Sequence, residues 1–280
     1  MKHITNTLIP GTHNKPIVTD IFFTENNTPK PIVIFCHGYK GFKDWGAWNV
    51  MAEHFANAGF FFIKFNFSHN GGTVDQPIDF PDLDAFGANN YSIELDDLKD
   101  VIDWVTVNNS FKTEADIQNI NLVGHSRGGG IVTIKAEEDP RITRLISLAG
   151  VSDYASRMSS GDALELWKTN GVEYVVNGRT KQDMPHYYQF FEDFKANEDR
   201  LTIKRAAQHL KIPHLIIHGD ADTSVRIEEA YNLHEWNPNS ELKIIKGANH
   251  VFETVHPWEK DTLSQELQEV IEGIITFLNK

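Results

Sequence analysis

The sequence predicts an α/β fold in which a mostly parallel sheet is covered by helices on both faces. Short, almost wholly apolar segments recur along the chain, and segments with apolar residues at spacings of three and four lie between them. Apolar segments of this length that are rich in Ile, Val and Phe are typical of strands buried on both faces. Strands that alternate with amphipathic helices imply parallel pairing, and this alternation sets the fold class.

The predicted strands are short, and all but the first and last are almost wholly apolar. They are Ile17–Phe23, Ile32–Cys36, Phe60–Phe67, Ile120–Val123, Leu145–Leu148, Leu215–Ile217 and Leu242–Ile245. The predicted helices show the spacing of apolar residues that one buried helix face requires. They are Trp45–Ala58, Ile93–Val107, Gly128–Glu138, Ile227–Trp236 and Trp258–Leu278.

The alternation breaks at residues 152–205, a polar, charged and aromatic stretch without a clear buried strand. Within it, Asn177-Gly178 lies between extended residues and predicts a short hairpin. We expect an insertion after the sixth strand that folds over the sheet as a lid. A surface excursion with its own small core is the alternative. Repeats and low-complexity segments are absent, so residues 1–280 are expected to form a single domain.

Composition and charge narrow the range of partners. The chain has 280 residues, 40% of them hydrophobic, and a formal net charge of −13. A negative surface repels nucleic acid and, by a weaker argument, anionic membranes, so neither is an expected partner. The first residues lack the apolar core of a secretory signal, which predicts a cytoplasmic protein. Cys36 is the one cysteine and lies in an apolar segment, so we expect a buried thiol and no intrachain disulfide.

The segment Gly124-His125-Ser126-Arg127-Gly128 carries the strongest functional signal. It follows an apolar strand and precedes a helical segment, which is the setting of a nucleophile elbow. In such a turn the serine hydroxyl projects above the strand ends, and the residues two before and two after it must be small. Gly124 and Gly128 meet that requirement. Ser126 is therefore the predicted nucleophile, and the Arg127 N–H, at a helix N-terminus, can donate to an oxyanion.

A serine nucleophile needs a base that a carboxylate orients, and both are expected later in the chain. Asp222 follows the strand Leu215–Ile217 in a glycine-containing turn and is the predicted acid. Asp220 is its rival, and either carboxylate could instead cap the next helix. His250 follows the last strand and is the predicted base, whereas His256 is assigned to the approach to the final helix.

The loop after the strand Ile32–Cys36 is expected to supply the second oxyanion donor. His37-Gly38 allows the backbone to approach a substrate closely, and the Tyr39 N–H is then placed to donate. A simple turn glycine is the alternative interpretation of Gly38.

These motifs together resemble the α/β-hydrolase superfamily over nearly the whole chain. Within it, the chain is similar to bacterial esterases grouped with dienelactone hydrolases and with prolyl-oligopeptidase-like or serine-aminopeptidase-like hydrolases. The resemblance implies an eight-stranded type of sheet and a triad of Ser126, Asp222 and His250. It also implies an oxyanion hole made by the backbone amides of Tyr39 and Arg127. Serine at the elbow disfavours the dienelactone reaction, which uses cysteine, and the dehalogenase and epoxide hydrolase reactions, which use aspartate.

The predicted function is hydrolysis of a small-molecule carboxylic ester through an acyl-enzyme, without a metal or a cofactor. Trp45, Trp167 and the aromatic residues of the insertion suggest an apolar or aromatic acyl group, although such clusters are also common in protein cores. Lys40 and Lys43 either attract a carboxylate or lie in solvent. A peptidase is the nearest alternative, and a non-catalytic binding protein on the same fold is the alternative from another class.

Overall fold

The computed structural model describes the whole chain, Met1–Lys280, which forms ten β-strands and ten α-helices. The strands are β1 (Lys2–Ile9), β2 (Ile17–Phe23), β3 (Lys30–Cys36), β4 (Phe61–Phe65), β5 (Ala115–His125), β6 (Ile142–Leu148), β7 (Val172–Val176), β8 (Asp183–Tyr187), β9 (His214–Gly219) and β10 (Glu241–Ile245). The helices are α1 (Trp48–Asn57), α2 (Leu83–Ala88), α3 (Tyr91–Val107), α4 (Arg127–Glu138), α5 (Gly161–Asn170), α6 (Gln189–Ala196), α7 (Glu198–Leu201), α8 (Ile203–His209), α9 (Ile227–Trp236) and α10 (Gln265–Leu278). None of these helices has the length and apolar character needed to cross a membrane.

Eight of the strands form one sheet in the order β1-β2-β4-β3-β5-β6-β9-β10. Neighbours from β4 through β10 run parallel, whereas β2 is antiparallel to both β1 and β4. The predicted α/β fold with a mostly parallel sheet is therefore confirmed. Because parallel strands end at the same edge of a sheet, the loops that follow β3, β5, β9 and β10 meet at that edge.

The central strands are buried on both faces because a helical layer covers each side. On β3, Ile32 and Ile34 belong to the core shared with α3 and α4, while Val33 and Phe35 belong to the core shared with α1 and α10. This arrangement explains why the strand is apolar at successive positions instead of alternating with polar residues.

Some boundaries differ from the sequence prediction. β1 was not expected, because its residues are mostly exposed and the strand pairs only with β2 at the sheet edge. α1 and α10 begin later than predicted, at Trp48 and Gln265. Ser264 sets the start of α10, since its hydroxyl accepts a hydrogen bond from the Leu267 N–H at 3.1 Å.

The insertion at residues 152–205 contains the helices α5, α6 and α7, the start of α8, and the two-stranded sheet β7-β8. The hairpin expected around Asn177-Gly178 is present as β7 and β8. Asn177 begins the loop between the two strands, and its N–H donates to the Gln182 carbonyl oxygen at 2.8 Å. Aromatic side chains of the insertion, including Trp167, Phe190 and Phe194, belong to the main core next to α3 and α4. The insertion is therefore packed onto the sheet layers, and it has no separate core built from these aromatic residues.

Candidate active site

Ser126 turns the chain sharply between β5 and α4. Its φ of 57° and ψ of −119° lie outside the regions that L-residues ordinarily occupy. A Cβ atom on Gly124 would lie 2.2 Å from the Gly128 carbonyl oxygen, and one on Gly128 would lie 2.6 Å from the Cys36 carbonyl oxygen. Only glycine fits at these two positions, so the local sequence fixes a strand–turn–helix that presents the serine hydroxyl.

Three side chains that are distant in the sequence meet at this turn. His250 Nε2 lies 3.0 Å from Ser126 Oγ, and His250 Nδ1 lies 2.7 Å from Asp222 Oδ2. The structure thus brings the predicted nucleophile, base and acid into one chain of hydrogen bonds. Because an ionised carboxylate only accepts, His250 Nδ1 carries the proton and Nε2 is free to accept the proton of the serine hydroxyl.

The Asp222 carboxylate is buried and held in its charged form. Its Oδ1 accepts hydrogen bonds from the Ser224 and Val225 N–H groups at 2.8 and 2.9 Å, and His218 Nε2 lies 3.4 Å from Oδ2. Burial by itself would raise the pKa of Asp222. The hydrogen bonds from His218, His250 and the Val225 N–H outweigh burial and hold that pKa well below its ordinary value.

The two rival residues lie elsewhere. Asp220 accepts a hydrogen bond from the Gly247 N–H at 2.5 Å, in an exposed turn between β9 and β10. His256 Nδ1 accepts from the Gly46 N–H at 3.0 Å, and its ring stacks on Trp45. Neither side chain hydrogen-bonds to Ser126 or His250, so the geometry favours Asp222 and His250.

Two buried histidines, for which the sequence suggested no role, hydrogen-bond to the backbone of the site. His125 Nε2 donates to the His250 carbonyl oxygen at 2.8 Å, and His37 Nδ1 donates to the Gly38 carbonyl oxygen at 2.9 Å. Burial lowers the pKa of His125 to about 3 and that of His37 to about 4, so both stay neutral near pH 7. Their positions next to Ser126 and Gly38 are the only sequence signal of these contacts.

The loop after β3 runs directly against the serine. A Cβ atom on Gly38 would lie 2.8 Å from Ser126 Cβ and 3.3 Å from Ser126 Oγ, so glycine is required for this close approach. Tyr39 follows Gly38 in that loop, and Arg127 is the first residue of α4, where backbone N–H groups have no partner within the helix. The structure therefore places both predicted donor segments beside the serine.

Two cavities adjoin Ser126 and His250. The larger has a volume of about 420 Å³ and is lined by Trp167, and the smaller, of about 170 Å³, is lined by Gly38 and Trp45. Eight of the sixteen residues that line the larger cavity come from the insertion. The three candidate substrate-binding residues, Gly38, Trp45 and Trp167, thus line two different cavities next to the serine.

Lys43 does not lie in solvent and does not line either cavity. Its Nζ is buried and lies 2.7 Å from Asp20 Oδ2 and 2.6 Å from Asp44 Oδ2. Lys40, by contrast, is partly exposed and lines the smaller cavity.

A parallel α/β sheet with a strained serine at the β5–α4 turn, hydrogen-bonded to a histidine and a carboxylate from later loops, defines the class of α/β hydrolases. The sequence model of the alpha/beta hydrolase fold family matches residues 31–183, more than half of the chain. The chain therefore belongs to the alpha/beta hydrolase fold family.

Individual relatives agree with this assignment. Non-heme chloroperoxidase CPO-A1 of Kitasatospora aureofaciens is 23% identical over 93% of this chain and 96% of its own length. The structure of Est1E from Butyrivibrio proteoclasticus with bound ferulic acid superposes with a TM-score of 0.72, at 18% identity over 98% of each chain. Dienelactone hydrolase from Anabaena variabilis ATCC 29413 superposes with a TM-score of 0.64, at 18% identity over 99% of this chain and 97% of its own. At these identities the superpositions establish the fold alone.

Proposed function

We propose that this chain is a serine hydrolase of small-molecule carboxylic esters. The observation that carries the proposal is the continuous hydrogen-bond chain from Ser126 Oγ through both ring nitrogens of His250 to Asp222, at 3.0 and 2.7 Å. A serine hydroxyl in this setting can lose its proton to the imidazole as it attacks a carbonyl carbon. The strained backbone at Ser126 presents the hydroxyl to two cavities.

In the proposed first step, Ser126 Oγ bonds to the ester carbonyl carbon while His250 Nε2 takes the hydroxyl proton. The tetrahedral intermediate carries its negative charge on the former carbonyl oxygen, and the backbone N–H groups of Tyr39 and Arg127 stabilise it. His250 then gives the proton to the leaving alcohol oxygen, and the carbon–oxygen bond to the alcohol breaks. Asp222 keeps the imidazole oriented and offsets its transient positive charge.

In the proposed second step, a water molecule replaces the alcohol. His250 takes one proton from the water as its oxygen attacks the acyl carbon of the acyl-enzyme. The same proton then returns to Ser126 Oγ as the ester bond to the enzyme breaks, which releases the acid and restores the starting state.

The larger cavity supports an aromatic or apolar acyl group. Its walls include the rings of Tyr39, Tyr91, Tyr154, Trp167, His186 and Phe190. Cavities of 300–1,000 Å³ are typical of small-molecule sites, and about 420 Å³ falls in that range. Est1E, which has the same fold, binds ferulic acid, an aromatic acid, and this lends the proposal further support.

The test compares the wild-type protein with Ser126→Ala on short p-nitrophenyl esters. Because Ser126 forms the covalent bond, we expect Ser126→Ala to reduce kcat by at least about 10³-fold. Ser110→Ala, an exposed serine far along the chain from the elbow, is the matched control and should retain the wild-type rate. Equal rates for the wild type and Ser126→Ala would overturn the proposal.

The same proteins separate the alternatives. A fluorophosphonate probe should label the wild type and Ser110→Ala but not Ser126→Ala, and an unlabelled wild type would favour a non-catalytic binding protein. A matched series of p-nitroanilides tests the peptidase alternative. Faster cleavage of the anilides than of the esters would move the assignment from ester to amide hydrolysis.

A further inference from the structure

The side chain of Arg127 lies in the wall of the larger cavity, next to the nucleophile. Its guanidinium carbon is 4.4 Å from the ring centre of Tyr39, 5.1 Å from that of Tyr91 and 5.4 Å from that of Phe190. Only 14% of the side chain is exposed. The three rings hold the guanidinium in a fixed orientation by cation–π contact.

The hydrogen bonds of this guanidinium are incomplete. It has five N–H donors, and the only protein acceptor is Glu94 Oε1, 3.2 Å from Nη1. The Nε–Nη2 edge therefore makes no hydrogen bond to the protein. Two parallel N–H groups on that edge match the two oxygens of a carboxylate. Arg127 lines the larger cavity, and a largely buried guanidinium with N–H groups that have no protein acceptor can bind an acceptor group there.

The charged residues around the cavity differ in how many of their hydrogen-bonding groups are already paired. Its charged lining residues are Arg127, Arg157 and Glu173. Arg157 is already paired with Glu229 at 2.5 Å, and Glu173 accepts a hydrogen bond from Ser159 at 2.8 Å. Arg127 has the buried Glu94 as its single partner. Arg157 also donates to the Asp153 carbonyl oxygen, so of the two lining cations Arg127 has more N–H groups without an acceptor.

We propose that Arg127 binds a carboxylate carried by the acyl group of the substrate, so that the protein prefers monoesters of dicarboxylic acids. This inference rests on the proposed ester hydrolysis at Ser126. The ester carbonyl lies at Ser126 Oγ, and the distal carboxylate lies against the Nε–Nη2 edge of the next residue in the chain. Glu94 behind the guanidinium fixes the position of Arg127 and moderates its charge.

The test uses substrates that differ only in charge. Mono-p-nitrophenyl glutarate and adipate are compared with p-nitrophenyl esters of the same acyl chain, in which a primary amide of the same shape replaces the distal carboxylate. For the wild type we expect kcat/KM to be about ten- to a hundredfold higher for the carboxylates, the range of a charge-assisted hydrogen bond. p-Nitrophenyl acetate reports ester hydrolysis without a distal group.

Two variants assign the preference to Arg127. Glu94→Gln removes the competing carboxylate and should keep or increase the ratio of carboxylate to amide. Arg127→Met in the Glu94→Gln background avoids an unpaired buried charge, and should bring the ratio to about one. The ratio of carboxylate to amide is taken within each variant, so a general loss of rate caused by the change at position 127 cancels from it.

The outcomes separate this inference from the proposed function. Hydrolysis of acetate by the wild type without a preference for the carboxylates would overturn the inference alone, as would a preference that survives in the double variant. If no ester is hydrolysed, the proposed function fails. Calorimetric titration of monomethyl adipate into the wild type and the double variant then decides the inference, since equal affinities would overturn it.

Discussion

At the scale of single residues, the strain at Ser126 is offset by its neighbours. A non-glycine residue with this φ and ψ costs about 1–3 kcal/mol. The Ser126 N–H donates to the Leu148 carbonyl oxygen at 2.9 Å, and its own carbonyl accepts from the Gly129 and Val151 N–H groups at 2.9 and 3.2 Å. Both polar groups of the strained peptide are thereby paired with β6, α4 and the segment after β6. The turn is held from both sides, and this keeps the hydroxyl fixed relative to His250.

The choice between the two aspartates after β9 is a prediction at this scale. In Asp222→Asn the amide oxygen can still accept from the Ser224 and Val225 N–H groups, but the amide nitrogen then faces His250 Nδ1 and favours the wrong tautomer. We expect kcat to fall by about 10⁴-fold. Asp220→Asn, in the exposed turn, should change kcat by less than about threefold. A large loss in Asp220→Asn with a small one in Asp222→Asn would reverse the assignment.

The sequence identifies these residues because each follows the carboxyl end of a predicted parallel strand. Ser126, Asp222 and His250 follow β5, β9 and β10, so the topology alone brings them together. The contacts behind them could not be predicted in this way. Whether Glu94 pairs with Arg127 depends on how α3 packs against α4, and this packing is set by the shapes of many side chains.

At the scale of elements, a buried network of charges anchors the loop that carries Gly38 and Tyr39. Lys43 and Asp44 belong to that loop, Asp20 to β2 and Lys64 to β4. Lys64 Nζ lies 2.8 Å from Asp20 and 2.5 Å from Asp44, and Lys43 binds the same two carboxylates. Burial alone would raise the pKa of Asp20, but the two lysines lower it to about 2. The Asp20 carboxylate is thus charged near pH 7, and its contacts with the two lysines hold the loop to the sheet.

Lys43→Met should release this loop and leave the buried aspartates with one cation. Breaking a buried pair by removing one partner costs about 3–5 kcal/mol. We expect a loss of that size in the free energy of unfolding, measured with urea, and slower labelling by the fluorophosphonate probe. Lys40→Met, on the same loop and partly exposed, is the control and should cost less than about 1 kcal/mol. Equal losses in the two variants would show that the network does not anchor the loop.

The elements that the sequence predicts well are those buried on both faces. The core segments of β3, β5, β6 and β9 appear as apolar runs because two helical layers cover them. β1 and the helices of the insertion escaped prediction for opposite reasons. β1 gains its stability from pairing with β2 and not from an apolar pattern. The short helices α5 and α6 bury only one and two aromatic residues, and α7 and α8 bury a few aliphatic ones, all against other elements. Such tertiary contacts override local pattern.

At the scale of the whole molecule, several histidines are buried in the neutral form. Burial is the largest cause in each case, and it lowers the pKa to about 3 or 4. These residues are His37, His69, His125, His186 and His214. In the unfolded chain the same side chains have their ordinary pKa of about 6.5. As the pH falls below 6.5, the unfolded chain therefore binds protons that the folded chain cannot, and folding becomes less favourable.

The protein should accordingly lose stability between pH 7 and pH 5, and His214 isolates the effect away from the proposed active site. His214 is fully buried on β9, where Nε2 is 2.9 Å from Ser147 Oγ and Nδ1 has no partner. A histidine whose pKa is about 3 when folded contributes a loss of about 2 kcal/mol over this interval.

In His214→Gln, which can still reach Ser147, the free energy of unfolding in urea should fall by about 2 kcal/mol less than in the wild type between pH 7 and pH 5. His209→Gln, an exposed histidine on α8 that meets water in both states, should keep the wild-type slope. If His214→Gln keeps the same slope of unfolding free energy against pH as the wild type, the acid sensitivity does not come from this buried imidazole. The proposed link between histidine burial and acid sensitivity then fails at the most completely buried of the five histidines.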